Sequence, residues 1–193
     1  MREQIAGAVA GGVDIVQLRE RHLQAGEYAA FVRECIQLTQ GTATRILVND
    51  RVDIALATGA HGVHLREVSA SIEAVRTVAH KEFIIGRSVH DAGTAARMRT
   101  ADYLIVGTVF ETASKPPGHR VLGVDGLREV VAAAGTCPVW AVGGVTQERL
   151  PSLKAAGAQG VAAIDAFLPG PTAADVAGEV KALSERLRFL LDR

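Results

Sequence analysis

Several short apolar runs in this chain end in side chains able to bind, donate protons or hold an anion. Gln17 and Arg19 close the first such run, Asn49 and Asp50 the second, and His64 lies inside the third. Ser88 and His90 follow the fourth, and a loop carrying Thr112, Lys115 and His119 follows the fifth. The sixth ends in the pair Gly143-Gly144, and the seventh ends at Ile164-Asp165. Gln, Asn, Arg and Ser at one rim suit a small polar substrate. Paired glycines let main-chain N–H groups approach an anion without side-chain obstruction, so Gly143 and Gly144 read as a phosphate cradle. Lys115, on a loop rich in Pro and Gly, reads as a cation closing over that anion, with Thr112 beside it. His64 and His90 are the acid-base candidates, since imidazole titrates near neutral pH. Asp50 has three readings: a metal ligand, a group orienting a base, or an ion-pair partner of Arg19 or Arg51. The structural alternatives are a tight strand-to-helix turn at the glycines, hydrogen-bonded structural histidines and a solvated surface lysine. His119 has no assigned role.

Those residues need elements to hold them. Short runs rich in Val, Ile and Leu predict strands at Val13–Leu18, Arg45–Asn49, Gly62–Leu65, Phe83–Arg87, Asp102–Gly107, Pro138–Val142 and Gly160–Ile164. Helical patterns lie between them near 25–40, 51–58, 71–80, 91–98, 126–134 and 147–156, with flanking helices near 2–10 and 172–191. Thr58-Gly-Ala and Ala156-Gly-Ala mark helix ends, where glycine takes the left-handed cap at little steric cost. Strictly alternating helices and strands imply parallel strands with right-handed crossovers. The count, seven strands beginning with a helix, predicts a TIM-type (β/α)8 barrel lacking its first strand in this chain. A seven-stranded remnant would leave unpaired edges, so the expectation is a true start upstream of Met1. The rivals are an incomplete barrel, closed by a partner or left split, and a doubly wound open sheet. In a parallel barrel the site lies at the carboxyl ends of the strands, where these polar residues fall.

Composition agrees. At 193 residues and 48% hydrophobic, the chain can form one domain, 1–193, around one core. Aromatics make up only 4%, so Ala, Val, Ile and Leu must build that core. Lys plus Arg and Asp plus Glu are equal at 21 each, which argues against nucleic acid or an anionic membrane as partner. No apolar run reaches the roughly 18 to 20 residues of a membrane span. Met-Arg-Glu-Gln does not read as a signal peptide, so a cytoplasmic location is expected. A homodimer is left open. Cys35 and Cys137 form neither a metal motif nor a disulfide framework and read as buried free thiols.

Six segments in order carry a resemblance: VQLRER (16–21), ILVNDRVDIALATGAHGVHL (46–65), IIGRSVH (84–90), DYLIVGTVF (102–110), PVWAVGGVT (138–146) and GAQGVAAI (157–164). At these residues the chain resembles the thiamine phosphate synthase and TenI family. The resemblance implies a (β/α)8 barrel and a phosphate-bearing small-molecule substrate. For the synthase it implies that an aminopyrimidine diphosphate ionises and thiazole phosphate captures the cation. Gln17, Arg19, Asn49, Ser88 and Lys115 would then surround the pyrimidine and diphosphate, and Asp50 would match one magnesium ligand. The synthase's second magnesium carboxylate corresponds to Ser69, with Glu67 nearby but out of register, and the synthase lysine after Gln-Leu-Arg-Asp corresponds to Arg21. Gly86-Arg87-Ser88-Val89-His90 and Val109-Phe110-Glu111-Thr112 look more like the TenI branch, which isomerises a carboxythiazole phosphate without a metal. That branch's catalytic histidine falls at Thr108, so His64, His90, His119 or a water would have to replace it. Family members usually carry Ser where this chain has Asp165, beside the phosphate, and the resemblance implies that the backbone amides of Gly144 and Ile164 would bind it. The expectation is therefore a TenI-like thiazole tautomerase with no cofactor. The alternatives are a magnesium-dependent thiamine phosphate synthase and a silent paralogue that binds a thiamine precursor.

Overall fold

The computed structural model describes residues 2–112, 114–116, 118–164, 167 and 175–191, with side chains given only as far as 185 in the last helix. Its elements run α1 (Arg2–Ala10), β1 (Ile15–Leu18), α2 (Ala25–Leu38), β2 (Arg45–Asn49), α3 (Val52–Thr58), β3 (Gly62–Leu65), α4 (Ile72–Val78) and β4 (Ile84–Val89). They continue with α5 (Ala92–Met98), β5 (Tyr103–Val106), α6 (Gly123–Ala134), β6 (Val139–Val142), a 3-10 turn (Gln147–Arg149), α7 (Leu150–Ala155), β7 (Gly160–Ala162) and α8 (Val176–Leu191). The seven strands are ordered β1 to β7 as in sequence, and the registered pairs are parallel. This is the α/β TIM-type arrangement, with seven strands among the described residues.

Two compact units divide the chain: Met1–Leu65 with Ser69–Ile85 and Phe167–Phe189, and Arg66–Val68 with Gly86–Ala166 and Leu190–Arg193. In the first, Ile46, Leu47 and Val48 are all fully buried, as expected of a parallel strand covered on both faces. The Tyr28 hydroxyl donates to the Leu18 carbonyl at 2.7 Å, pinning α2 to the end of β1. Gly7 and Gly11 let α1 approach α8, because a Cβ at Gly7 would lie 2.3 Å from the Ala177 carbonyl oxygen. In the second, Leu104, Val106, Val139 and Ala141 are buried between β5 and β6 and the helices around them. Tyr103 and Trp140 stack at 4.2 Å between ring centroids. Burial pushes the Tyr103 hydroxyl far above its usual range, so it stays protonated.

The expected helix ends hold: Gly59 caps α3 at φ 72 and Gly157 follows α7 at φ 93. Other boundaries differ for local reasons. Strand β4 runs Ile84–Val89 rather than Phe83–Arg87, so Ser88 lies inside the strand instead of after it. Strand β7 stops at Ala162, which leaves Ile164 beyond the strand. The helix expected over 147–156 is a 3-10 turn followed by α7, because Pro151 lacks an N–H and fits only the first turn of a helix. Helix α6 starts at Gly123, three residues early, where the Gly123 N–H donates to the Val109 carbonyl. Of the helix expected over 172–191, residues 172–174 lie outside the described ones. Cys35 and Cys137 are free and buried, as expected, and burial pushes the Cys35 thiol up to about 11. No helix among the described residues is long and apolar enough to cross a membrane.

Candidate active site

The first unit carries the carboxyl ends of β1, β2 and β3. Gln17 Nε2 donates to Asn49 Oδ1 at 2.9 Å, which fixes the orientation of both amides. Each keeps polar capacity for a ligand, since an amide has two donors and an acceptor with two lone pairs. Asp50 comes next and has φ 64, a left-handed conformation that Asp tolerates better than most residues. Its N–H donates to the His64 carbonyl at 2.9 Å, and its carboxylate accepts a hydrogen bond from the Ser69 hydroxyl. The Asp50–Arg51 pairing considered from sequence does not form. Arg51 instead grips Asp53 through two bonds of 2.8 and 2.6 Å, and this holds the Asp53 carboxyl below its usual value. Arg19 is exposed. His64 is 2% exposed on a strand whose four residues are all buried, the environment of a structural histidine.

The second unit carries the ends of β4 to β7. His90 Nδ1 is 2.5 Å from the Gly107 carbonyl, an acceptor, so Nδ1 carries a proton and donates it there. The ring's Nε2 lies 3.7 Å from Glu67 Oε2. Glu67 is held in turn by Thr94, whose hydroxyl donates to Oε1 at 3.3 Å, and its own carbonyl accepts from Arg87 at 2.7 Å. Sequence reasoning did not connect Glu67 with His90, which lie 23 positions apart at the ends of neighbouring strands. Thr108 is 8% exposed, and its carbonyl accepts from Leu122 N–H at 2.9 Å. Ser88 is half-buried and His119 exposed. In the following loop Thr112 Oγ1 lies 3.2 Å from Ser114 Oγ, and the Thr112 carbonyl accepts from the Lys115 N–H, leaving the Lys115 side chain exposed.

Gly143 and Gly144 have φ 98 and 61, left-handed conformations that glycine adopts at little cost and a side chain would strain. A Cβ at Gly143 would meet Thr108 Cγ2 at 2.4 Å, and one at Gly144 would meet the Glu111 carbonyl oxygen at 2.5 Å. Their carbonyls are occupied, Gly143 by Phe110 N–H at 3.2 Å and Gly144 by Arg149 Nη1 at 2.6 Å. Among the described residues no hydrogen bond engages either glycine's N–H. A tight turn alone needs the positive φ, while consecutive unengaged amides are what an anion needs. Ile164 is 70% exposed, and Asp165 lies outside the described residues. Arg149 was missed from sequence, where an arginine in a helical stretch reads as solvated surface.

Among the described residues no cluster of three or more His, Cys, Asp or Glu is placed to hold a metal ion. Asp50 with Ser69 offers one carboxylate and one hydroxyl. That set fits magnesium only as a partial site, because magnesium is commonly held by one or two carboxylates with substrate phosphates completing the shell.

A parallel α/β fold with polar residues gathered at its strand ends defines a TIM-barrel-type enzyme scaffold. Within that class, the family model described as thiamine monophosphate synthase (TMP-TENI) matches residues 1–167, and the chain belongs to this family. It is 37% identical over 182 residues to a thiamine-phosphate synthase of Methanoregula boonei, covering 93% of this chain and 82% of that one. A thiamine-phosphate synthase of Moorella thermoacetica is 37% identical over 185 residues, covering 95% of this chain and 86% of its own length. The thiamine phosphate pyrophosphorylase structure from Pyrococcus furiosus superposes with a TM-score of 0.82 at 30% identity, over 99% of this chain and 89% of that one. The protein is an enzyme of thiamine biosynthesis.

Proposed function

We propose that the enzyme is a thiamine phosphate synthase, joining an aminopyrimidine diphosphate to a thiazole phosphate with release of pyrophosphate. The observation that carries this reading is the run of synthases at 34 to 40% identity over most of the chain. The tautomerase expected from sequence has no such support, and it also needs an acid-base group. At the position of that branch's catalytic histidine stands Thr108, whose hydroxyl has no proton transfer to offer near neutral pH.

In the synthase reading the chain's own residues mainly bind and orient. Gln17 and Asn49, locked to each other, present amide edges to the aminopyrimidine. The Gly143 and Gly144 amides take a phosphate of the thiazole substrate, and Lys115 and Thr112 lie on the loop that would cover it. In the second unit Ser88, half-buried within β4, contributes a hydroxyl, and in the first unit Arg19 contributes an exposed cation just after β1. His90, donating from Nδ1 to the Gly107 carbonyl with Glu67 beside Nε2, adds a polar pair at the end of β4. Magnesium, held by Asp50 with Ser69 beside it, would supply charge neutralisation to the departing diphosphate. The small-molecule phosphate substrates are proposals on the same footing. With magnesium and both substrates, the purified protein should release pyrophosphate and form thiamine phosphate. If it makes no thiamine phosphate yet speeds aromatisation of the carboxythiazole tautomer, the tautomerase reading replaces this one.

A further inference from the structure

Three consecutive peptide units run from Val142 to Val145, and none of them is cis. In a trans peptide the C=O and the N–H of the next residue point in opposite directions, so whatever holds the carbonyl also aims the amide. The Val142 carbonyl accepts from Val109 N–H at 3.0 Å, which aims the Gly143 N–H. The Gly143 carbonyl accepts from Phe110 N–H at 3.2 Å, which aims the Gly144 N–H. The Gly144 carbonyl accepts from Arg149 Nη1 at 2.6 Å, which aims the Val145 N–H. The first two carbonyls therefore face the loop after β5 and the third faces Arg149, and each following amide points away from the donor that holds its carbonyl. Among the described residues none of the three amides is engaged in a hydrogen bond.

Two of these restraints are main chain and follow from extending the β5–β6 pairing. The third is a side chain, and it is itself braced: the Arg149 guanidinium carbon lies 4.5 Å from the centroid of the Phe110 ring. A planar guanidinium stacked on an aromatic face is stiffer than a lysine ammonium on its flexible stem. Phe110 thus holds Gly143 through its backbone and Arg149 through its ring.

We infer that Arg149 is a positioning residue that turns the Val145 N–H into the third donor of the phosphate nest. It acts through the Gly144 peptide plane rather than by touching the anion. This rests on the reading of Gly143 and Gly144 as the phosphate site, and it adds both a donor and the residue that sets it.

The test is amide NMR of the full chain titrated with thiazole phosphate, and separately with inorganic phosphate, for wild type, Arg149→Met, Arg149→Lys and Phe110→Leu. In wild type the amide resonances of Gly143, Gly144 and Val145 should all shift together. In Arg149→Met the Val145 response should be lost while the two glycines still respond, which also shows that the fold is intact. Affinity should fall by about tenfold, the scale of one charge-assisted hydrogen bond. Arg149→Lys should not restore the Val145 response, and Phe110→Leu should weaken it. Full rescue by lysine would overturn the inference, because it would mean that Arg149 serves as a charge. An unchanged Val145 response in Arg149→Met would overturn it as well. If none of the three wild-type amides responds, the phosphate reading underneath it fails instead.

Discussion

Replacing Gly143 by alanine should separate the cost of folding this turn from the cost of losing the anion. The backbone there has φ 98, and a Cβ would stand 2.4 Å from Thr108 Cγ2 and 3.1 Å from Thr108 Cα. A side chain in the left-handed region costs about 1 to 2 kcal/mol, and overpacking a buried contact adds about 1 to 3 kcal/mol. The cheapest relief is rotation of the Val142–Gly143 or Gly143–Gly144 peptide plane, and either rotation swings an amide out of the nest. Losing one such contact to a phosphate costs about 1.5 to 3 kcal/mol, or roughly 10- to 150-fold in affinity. Trp140, the chain's single tryptophan, lies three residues before the pair and gives a fluorescence signal for titrating thiazole phosphate. The expected result is a raised dissociation constant and KM for thiazole phosphate, with little change in KM for the pyrimidine substrate. Adding Thr108→Ser removes the 2.4 Å clash but not the positive φ, so it should recover stability more than affinity. A folded Gly143→Ala protein that binds thiazole phosphate as tightly as wild type would refute the assignment of the glycine amides to phosphate.

Three further outcomes follow from the geometry. Ser69→Asp should tighten Mn2+ or Mg2+ binding by about tenfold, because it places a second carboxylate against Asp50 where a hydroxyl now lies; equal affinity in a metal titration would remove Asp50 and its neighbour from the metal site. Lys115→Ala should weaken phosphate-ligand affinity by about 1 to 3 kcal/mol, and unchanged binding would mark it as surface. Asp91→Ala should cost about 1 kcal/mol in denaturant unfolding, since Asp91 Oδ1 caps α5 by accepting from the Thr94 N–H at 2.7 Å. That same bond lowers the Asp91 carboxyl below its usual value. The cap's contribution is therefore complete above the unfolded carboxylate value of about 4 and fades as pH falls through the lowered one; an equal wild-type advantage at pH 7 and pH 2 would contradict it.

The sequence by itself determined the element order and the positions of the polar strand ends. Apolar runs such as Ile46–Val48 report burial on both sheet faces, and Gly59 and Gly157 report helix ends, all through local composition and the conformational freedom of glycine. Gln17, Asn49 and Asp50 were legible because a polar residue closing an apolar strand has few structural reasons to be there. What the tertiary structure alone decided was which of these groups act together. That Asp50 turns to Ser69 and not to Arg51, that Glu67 backs His90, and that Arg149 braces on Phe110 to hold Gly144 are contacts between segments far apart or turned by local backbone geometry. Residue type cannot report them, since an arginine in a helical stretch looks the same whether it points to water or to a carbonyl. The arrangement of the three amides after β6 has the same origin: two glycines permit the turn, but only the donors brought in from the β5 loop and from Arg149 fix its direction.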